Sequence, residues 1–115
     1  MTNIHDKARE LASALHQSEE YAQFIKAKEA AYENAATKDL LKQYKRMQTQ
    51  AQAAMLAGKK DQALMEQAQR MGEILQLDAK AAAYLMAEYR LSSLLGDVYK
   101  LLGEAIDLDL SALEG

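Results

Sequence analysis

The chain has no cysteine, no proline and no tryptophan among its 115 residues, and these absences limit the structures and sites that it can form. Without cysteine there are no disulfides, no thiolate metal ligands and no thiol nucleophile, which fits a reducing compartment such as the cytoplasm. Without proline, sharp breaks in helices are rare. A single Phe leaves Ala, Leu and Met to build the core. We therefore expect oligomerisation to supplement a core that removes little area from water per residue.

Long apolar runs and period-two alternation are also missing. No window approaches the roughly 18 consecutive apolar residues of a membrane span, and residues 1–10 lack the apolar stretch of a signal peptide. We therefore expect a cytoplasmic protein without membrane contact. Ala, Leu, Gln, Glu, Lys and Met dominate, and all of them favour helix. The sequence predicts an all-α fold, an antiparallel bundle of about five helices forming a single domain over residues 1–115.

Capping residues predict where these helices begin. The predicted N-caps are Asn3, Ser18, Thr37, Asp61 and Asp78. Gly58 follows the third helix and is predicted to adopt the left-handed conformation that ends many helices. Because the loop after Gly58 is short, the third and fourth helices are predicted to pair as an antiparallel hairpin.

The longest predicted helix runs from residue 79 to residue 107 and is apolar on two sides. One stripe, which includes Tyr84, Leu91 and Val98, faces the bundle. The second stripe contains two glycines, and each glycine inside a helix costs about 1 kcal/mol relative to alanine. Such a cost is best tolerated where another backbone approaches closely, either within the bundle or across the axis of a homodimer or homotetramer. The predicted oligomer interface consists of Leu85, Tyr89, Ser92, Gly96, Tyr99 and Gly103.

Charge is distributed unevenly along a chain whose net charge is −3. Residues 36–60 carry six basic side chains and one acidic one, a local net charge of +5. Within this segment, i+3 and i+4 spacing groups four cations into one candidate face for an acidic partner. These cations are Lys38, Lys42, Lys45 and Arg46. RNA phosphates are the alternative ligand for this face, and a simple solvated surface explains the same spacing.

No catalytic constellation is present in the sequence. His5 and His16 are the only imidazoles, and the Glu-x-x-His pairs of di-iron helical bundles are absent. Ser92 and Ser93 lie inside a predicted helix, without the glycine-flanked turn that exposes a nucleophilic serine. There is no glycine-rich phosphate loop. We therefore expect a non-enzymatic protein with no catalytic residues, no metal and no cofactor.

Several helical segments carry a pattern shared with a known group of proteins: 3–8 with 11–12, 18–21, 40–48, 84–91 with 94–95, and 103–110. Together they resemble the YlbF/YmcA/YheA helical family of Gram-positive bacteria. The resemblance covers nearly the whole chain, and the ending is closest to the uncharacterised YheA-like branch. The resemblance implies an all-helical oligomer without known enzymatic activity. It rests on helical positions and transfers no catalytic residue.

The better-studied relatives in that family are cytoplasmic regulatory partners. They assemble with another protein and influence RNA processing by a membrane-attached ribonuclease, competence, sporulation and biofilm formation. Iron–sulfur clusters are linked to those relatives through cysteines, which this chain lacks. The resemblance therefore implies a protein-interaction or regulatory module without that cluster.

Overall fold

A computed structural model describes residues 3–108, which contain five α-helices. They are α1 Ile4–His16, α2 Glu19–Tyr32, α3 Ala35–Leu56, α4 Gln62–Gln76 and α5 Ala79–Ile106. No strand occurs in this part of the chain, so the all-α prediction is confirmed. The single-domain extent, the antiparallel order and the oligomeric state stay predictions.

Most of the predicted caps are confirmed. The side chains of Asn3 and Asp61 each accept a hydrogen bond from the backbone N–H three residues later, at 2.8 and 3.1 Å. Ser18 has two roles, because its Oγ accepts the N–H of Tyr21 at 3.1 Å and donates to the carbonyl of Leu15 at 2.7 Å. One hydroxyl thus joins the end of α1 to the start of α2.

The predicted cap of α3 at Thr37 is wrong. The cap is Asn34, whose Oδ1 accepts the N–H groups of Ala36 at 2.9 Å and of Thr37 at 3.2 Å. Thr37 lies in the first turn of α3 and is buried. Its hydroxyl donates instead to Oδ2 of Asp78 at 2.7 Å. Asn and Thr are both good N-caps, so the sequence favours either position. Thr37 has a different role because its hydroxyl bonds to Asp78, which is distant in the sequence.

The turn between α3 and α4 begins after Gly58, as the sequence predicts, and these two helices pack against each other. Gly58 has a φ of 75°, the left-handed conformation expected of it. Farther along, Gly72 of α4 lies against the ring of Tyr44 in α3. A Cβ placed at residue 72 would lie 3.3 Å from that ring. Glycine at this position therefore lets the tyrosine approach the backbone of α4.

Residues 27–85 form one compact unit with a small core. Its largest fully buried side chains are Leu41, Leu75 and Tyr84. α3 has two inward sides, because Tyr44 faces Gly72 whereas Thr37 bonds Asp78 at the start of α5. Large apolar side chains also remain exposed here, at Met55, Leu56, Met65, Ile74 and Leu77.

The second unit combines the first 26 residues with the chain from Met86 onward. Among its described residues none of the large side chains is buried, and α1 contains no buried residue. Within residues 3–26 and 86–108, only the small residues Ala87 and Gly103 are buried. The exposed large apolar side chains of this unit are Ile4, Leu11, Met86, Tyr89, Leu101, Leu102, Ile106 and Leu108.

The end of α5 closes with a left-handed residue. Asp107 has a φ of 52°, and the N–H of Leu108 donates to the carbonyl of Gly103 at 2.9 Å. This bond pattern is that of a Schellman motif, which satisfies a carbonyl that the helix leaves unpaired.

Candidate interaction surfaces

The basic face of α3 is divided by contacts within the chain. The ammonium of Lys45 lies 4.4 Å from the ring centroid of Tyr84 and donates a hydrogen bond to its hydroxyl. Lys38 lies 5.4 Å from the ring centroid of Tyr32. Both lysines are half-buried, whereas Lys42 and Arg46 are exposed. Two of the four predicted cations therefore remain fully open to an external partner.

Tyr32 and Tyr84 are at the centre of this arrangement. Their ring centroids lie 5.8 Å apart, and Lys28 adds a further cation 5.5 Å from the Tyr32 centroid. Cations placed over aromatic rings are attracted by the negative face of the ring. Lys38 and Lys45 thus contribute to packing inside the unit of residues 27–85. RNA binding through the full set of four cations stays a prediction.

Asp78 connects the basic helix to the start of α5. Its Oδ1 accepts the N–H groups of Lys80 at 3.0 Å and Ala81 at 3.3 Å, so it is the N-cap predicted from the sequence. The hydrogen bond from Thr37, followed by that from Ala81, holds the pKa of this carboxyl below its ordinary value of 3.8. Hydrogen bonds that favour the charged form stabilise the carboxylate at this helix start.

The predicted oligomer interface on α5 is only partly open in a single chain. Tyr89 and Ser92 are exposed, Leu85, Gly96 and Tyr99 are half-buried, and Gly103 is buried. The burial of Gly103 fits the alternative in which this part of the stripe packs within one chain. The exposure of Tyr89 does not fit that alternative. Whether the stripe contacts a second copy stays a prediction.

A different side of α5 is open to solvent from residue 86 to residue 101 and was not predicted from the sequence. We call it the outward face and define it by Met86, Arg90, Ser93, Asp97 and Leu101, all of which are exposed. A groove of about 300 Å³ runs along it, lined by Glu20, Tyr89, Arg90, Ser93, Leu94 and Asp97. The signal in the sequence was the helical spacing of three or four residues between these positions, and the stronger apolar stripes beside them obscured it.

Within residues 3–108, no three histidine or acidic side chains come together as ligands for a metal ion. His16 packs against Tyr21, with 4.8 Å between the ring centroids. The expectation of no metal and no cofactor stays a prediction. None of the helices in the described part of the chain combines the length and apolar character needed to cross a bilayer.

Comparison with known sequences identifies relatives across nearly the full length. A UPF0342 protein of Symbiobacterium thermophilum is 40% identical over 108 residues, covering 93% of this chain and 96% of that protein. A UPF0342 protein of Clostridium novyi is 33% identical over 108 residues, with 93% and 95% coverage. One from Bacillus cereus is 31% identical over 106 residues, with 91% and 90% coverage.

The family profile described as "Control of competence regulator ComK, YlbF/YmcA" matches residues 4–107, which include all five helices. The relatives and the profile agree with the resemblance carried by the helical segments. The chain therefore belongs to the YlbF/YmcA family.

Proposed function

We propose that the protein is a non-enzymatic, cytoplasmic homo-oligomer that takes part in the control of ComK through contacts with other proteins. The observation that carries the proposal is the contrast in burial along α5. The part of α5 before residue 86 contributes Tyr84 to a core, whereas the part after it leaves Tyr89, Leu101 and Ile106 exposed.

Self-association follows from the energetics of such helices. Isolated helices are marginal in water, and most of their stability in proteins comes from burying an apolar face. In the unit that contains α1 and the later part of α5, a single chain buries only small residues among those described. Contiguous exposed apolar surface marks sites of protein association. A dimer or tetramer buries the apolar side chains that a single chain leaves exposed.

The regulatory part of the proposal is supported by the family and by charge. The family description names control of a regulator, not a reaction. Lys42 and Arg46 are exposed in a segment with a net charge of +5. Because complementary charge steers association and selects partners, this surface suits an acidic face of another protein.

The oligomeric state is tested by light scattering coupled to size exclusion over a series of protein concentrations. A dimer or tetramer at micromolar concentration is expected, with dissociation on dilution. A stable, helical monomer at every concentration contradicts the proposal.

The regulatory role is tested in a host that contains both this chain and ComK. Deletion of the gene is expected to change the amount of ComK measured by immunoblot, and the wild-type gene restores it. The double variant Lys42→Glu/Arg46→Glu is expected to fail to restore it. The matched control Lys59→Glu/Lys60→Glu makes the same charge change at exposed positions in the α3–α4 turn and is expected to succeed. An unchanged ComK level in the deletion strain contradicts this role.

A further inference from the structure

The outward face of α5 has an ordered pattern of chemistry along its length. Its spacing of four, three, four and four residues places Met86, Arg90, Ser93, Asp97 and Leu101 on one side of the helix. This side is offset by one residue, about 100°, from the predicted stripe of Leu85, Ser92 and Gly96. All of the outward face lies in the second unit, in which no large side chain among residues 3–26 and 86–108 is buried.

The pattern is balanced about the midpoint between Ser93 and Leu94. Met86 and Leu101 are equally far from that midpoint, and so are Arg90 and Asp97. An identical helix packed antiparallel about this point places Met86 opposite Leu101 of its partner and Arg90 opposite Asp97 of its partner. No like charges on the outward face meet in that register. Such self-complementarity is what a two-fold, isologous interface requires.

We propose that the outward face of α5 pairs antiparallel with the same face of a second copy. Arg90 of each copy then forms an ion pair with Asp97 of the other, and Met86 packs against Leu101 of the other. This inference rests on the proposed homo-oligomer and specifies which surface forms it.

The occupant is a second copy because the charges on the outward face complement those of an identical helix packed antiparallel to it. Within residues 3–108, neither Arg90 nor Asp97 takes part in an ion pair or a side-chain hydrogen bond. Met86 and Leu101 are 53% and 67% exposed. The two reciprocal ion pairs set orientation and register, and the apolar ends and Tyr89 supply contact area.

The groove at the midpoint fits a close helix approach. Ser93 is small, and the cavity of about 300 Å³ beside it is bordered by Tyr89 and Leu94. Packed helices lie roughly 8–10 Å apart, and the smallest side chains at the crossing permit the shortest separation. The groove therefore receives the central side chains of the second copy.

Charge reversal across the interface tests the pairing. Arg90→Asp and Asp97→Arg each place like charges opposite one another at two symmetric positions. Each variant alone is expected to weaken self-association by about 10- to 100-fold in sedimentation equilibrium, because like charges facing each other oppose binding. Circular dichroism checks that each variant remains helical.

Mixing the two variants distinguishes contacts between copies from effects within one chain. In a mixed dimer of Arg90→Asp with Asp97→Arg, opposite charges face each other at both positions. The mixture is expected to associate with near wild-type affinity, although each component alone does not. Restoration requires the two positions to meet in different molecules. A mixture that stays monomeric while both components are helical overturns the proposal.

Engineered cysteines provide a second test with an adjacent control. The chain has no cysteine, so each variant carries one thiol. Ser93→Cys lies beside the proposed two-fold axis and is expected to form disulfide-linked dimers on mild oxidation. Ser92→Cys is also at an exposed position but lies on the predicted stripe. It is expected to remain largely uncrosslinked.

The outcomes separate this inference from the proposed function. If the wild-type chain is monomeric at all concentrations, both fail. If it associates but Arg90→Asp and Asp97→Arg associate equally well, only the outward-face pairing fails. Preferential crosslinking of Ser92→Cys over Ser93→Cys likewise overturns it and assigns the interface to the stripe of Leu85, Ser92 and Gly96.

Discussion

Residues 27–85 and the unit made from the first 26 residues and the chain beyond Met86 are built from similar side chains. Both are helical, and both expose large apolar residues. They differ in what they bury: the first encloses Leu41, Leu75 and Tyr84, whereas the described part of the second encloses only Ala87 and Gly103. The comparison teaches that apolar composition alone does not make a core.

Residues 27–85 also contain polar contacts between side chains that lie far apart in the sequence. In residues 27–85, Thr37 reaches Asp78 and Lys45 reaches Tyr84 across about forty positions of sequence, 41 and 39 respectively. These bonds hold α3 against the start of α5 while satisfying polar groups at the edge of the core. In the other unit, the ion pairs of Lys7 with Glu10 and of Arg9 with Asp6 join residues only three positions apart.

The largest expected effect comes from truncating matched leucines in the two units. Leu41→Ala leaves a cavity in the core and is expected to lower the free energy of unfolding by about 2–5 kcal/mol. Leu101→Ala, at an exposed position, is expected to change it by less than about 0.5 kcal/mol. Urea denaturation at a concentration where the chain is monomeric measures both. Equal losses of unfolding free energy for the two variants contradict the difference in burial between the two units.

An intermediate effect is expected from removing matched helix caps. Asn34→Ala removes the acceptor at the start of α3 and is expected to cost about 0.5–2 kcal/mol of unfolding free energy. Asn3→Ala removes the same group from α1, which buries no residue. Because a helix without buried residues is expected to unfold locally, the expected change in global stability is within about 0.5 kcal/mol. Urea denaturation gives the global values and circular dichroism the lost helix.

The smallest effect is expected from titrating Asp78, because it is confined to acidic conditions. The pKa of this carboxyl is depressed in the folded chain, mainly by the Thr37 hydroxyl. Its contribution to stability is therefore fully present above the ordinary value of 3.8 and is lost as pH falls through the folded pKa. Thermal melting of wild type and Thr37→Val across this range measures the difference.

Thr37→Val removes the hydroxyl that favours the charged carboxylate while keeping the side-chain volume close to native. The variant is expected to lose less stability than the wild type as the pH is lowered. Asp78→Asn has no carboxyl at this position and is expected to show the same reduced acid sensitivity. Parallel acid profiles for all three proteins argue against a role of the Thr37–Asp78 bond.

The sequence was sufficient for the local features of the fold. Asn3, Ser18, Asp61 and Asp78 start helices through side chains that bond nearby backbone groups, and such bonds depend only on neighbouring residues. Gly58 likewise ends α3 through its own backbone conformation. These features were predictable because capping is encoded within a few positions.

Features that depend on distant partners were not predictable in the same way. Thr37 was predicted to be a cap because its hydrogen-bond partner, Asp78, lies 41 positions away in the sequence. Lys38 and Lys45 were grouped with the exposed cations because tyrosine rings from other helices were not part of the pattern. The outward face was overlooked because a stripe of glycine and tyrosine beside it gave the stronger signal.

The carboxylate of Asp78 has a consequence for how the chain comes apart. One oxygen starts α5 and the other accepts the Thr37 hydroxyl in the first turn of α3. Fraying at the start of either helix therefore removes the hydrogen-bond partner that the start of the other helix uses. Two helix starts that lie far apart in sequence are expected to melt together as a single cooperative element.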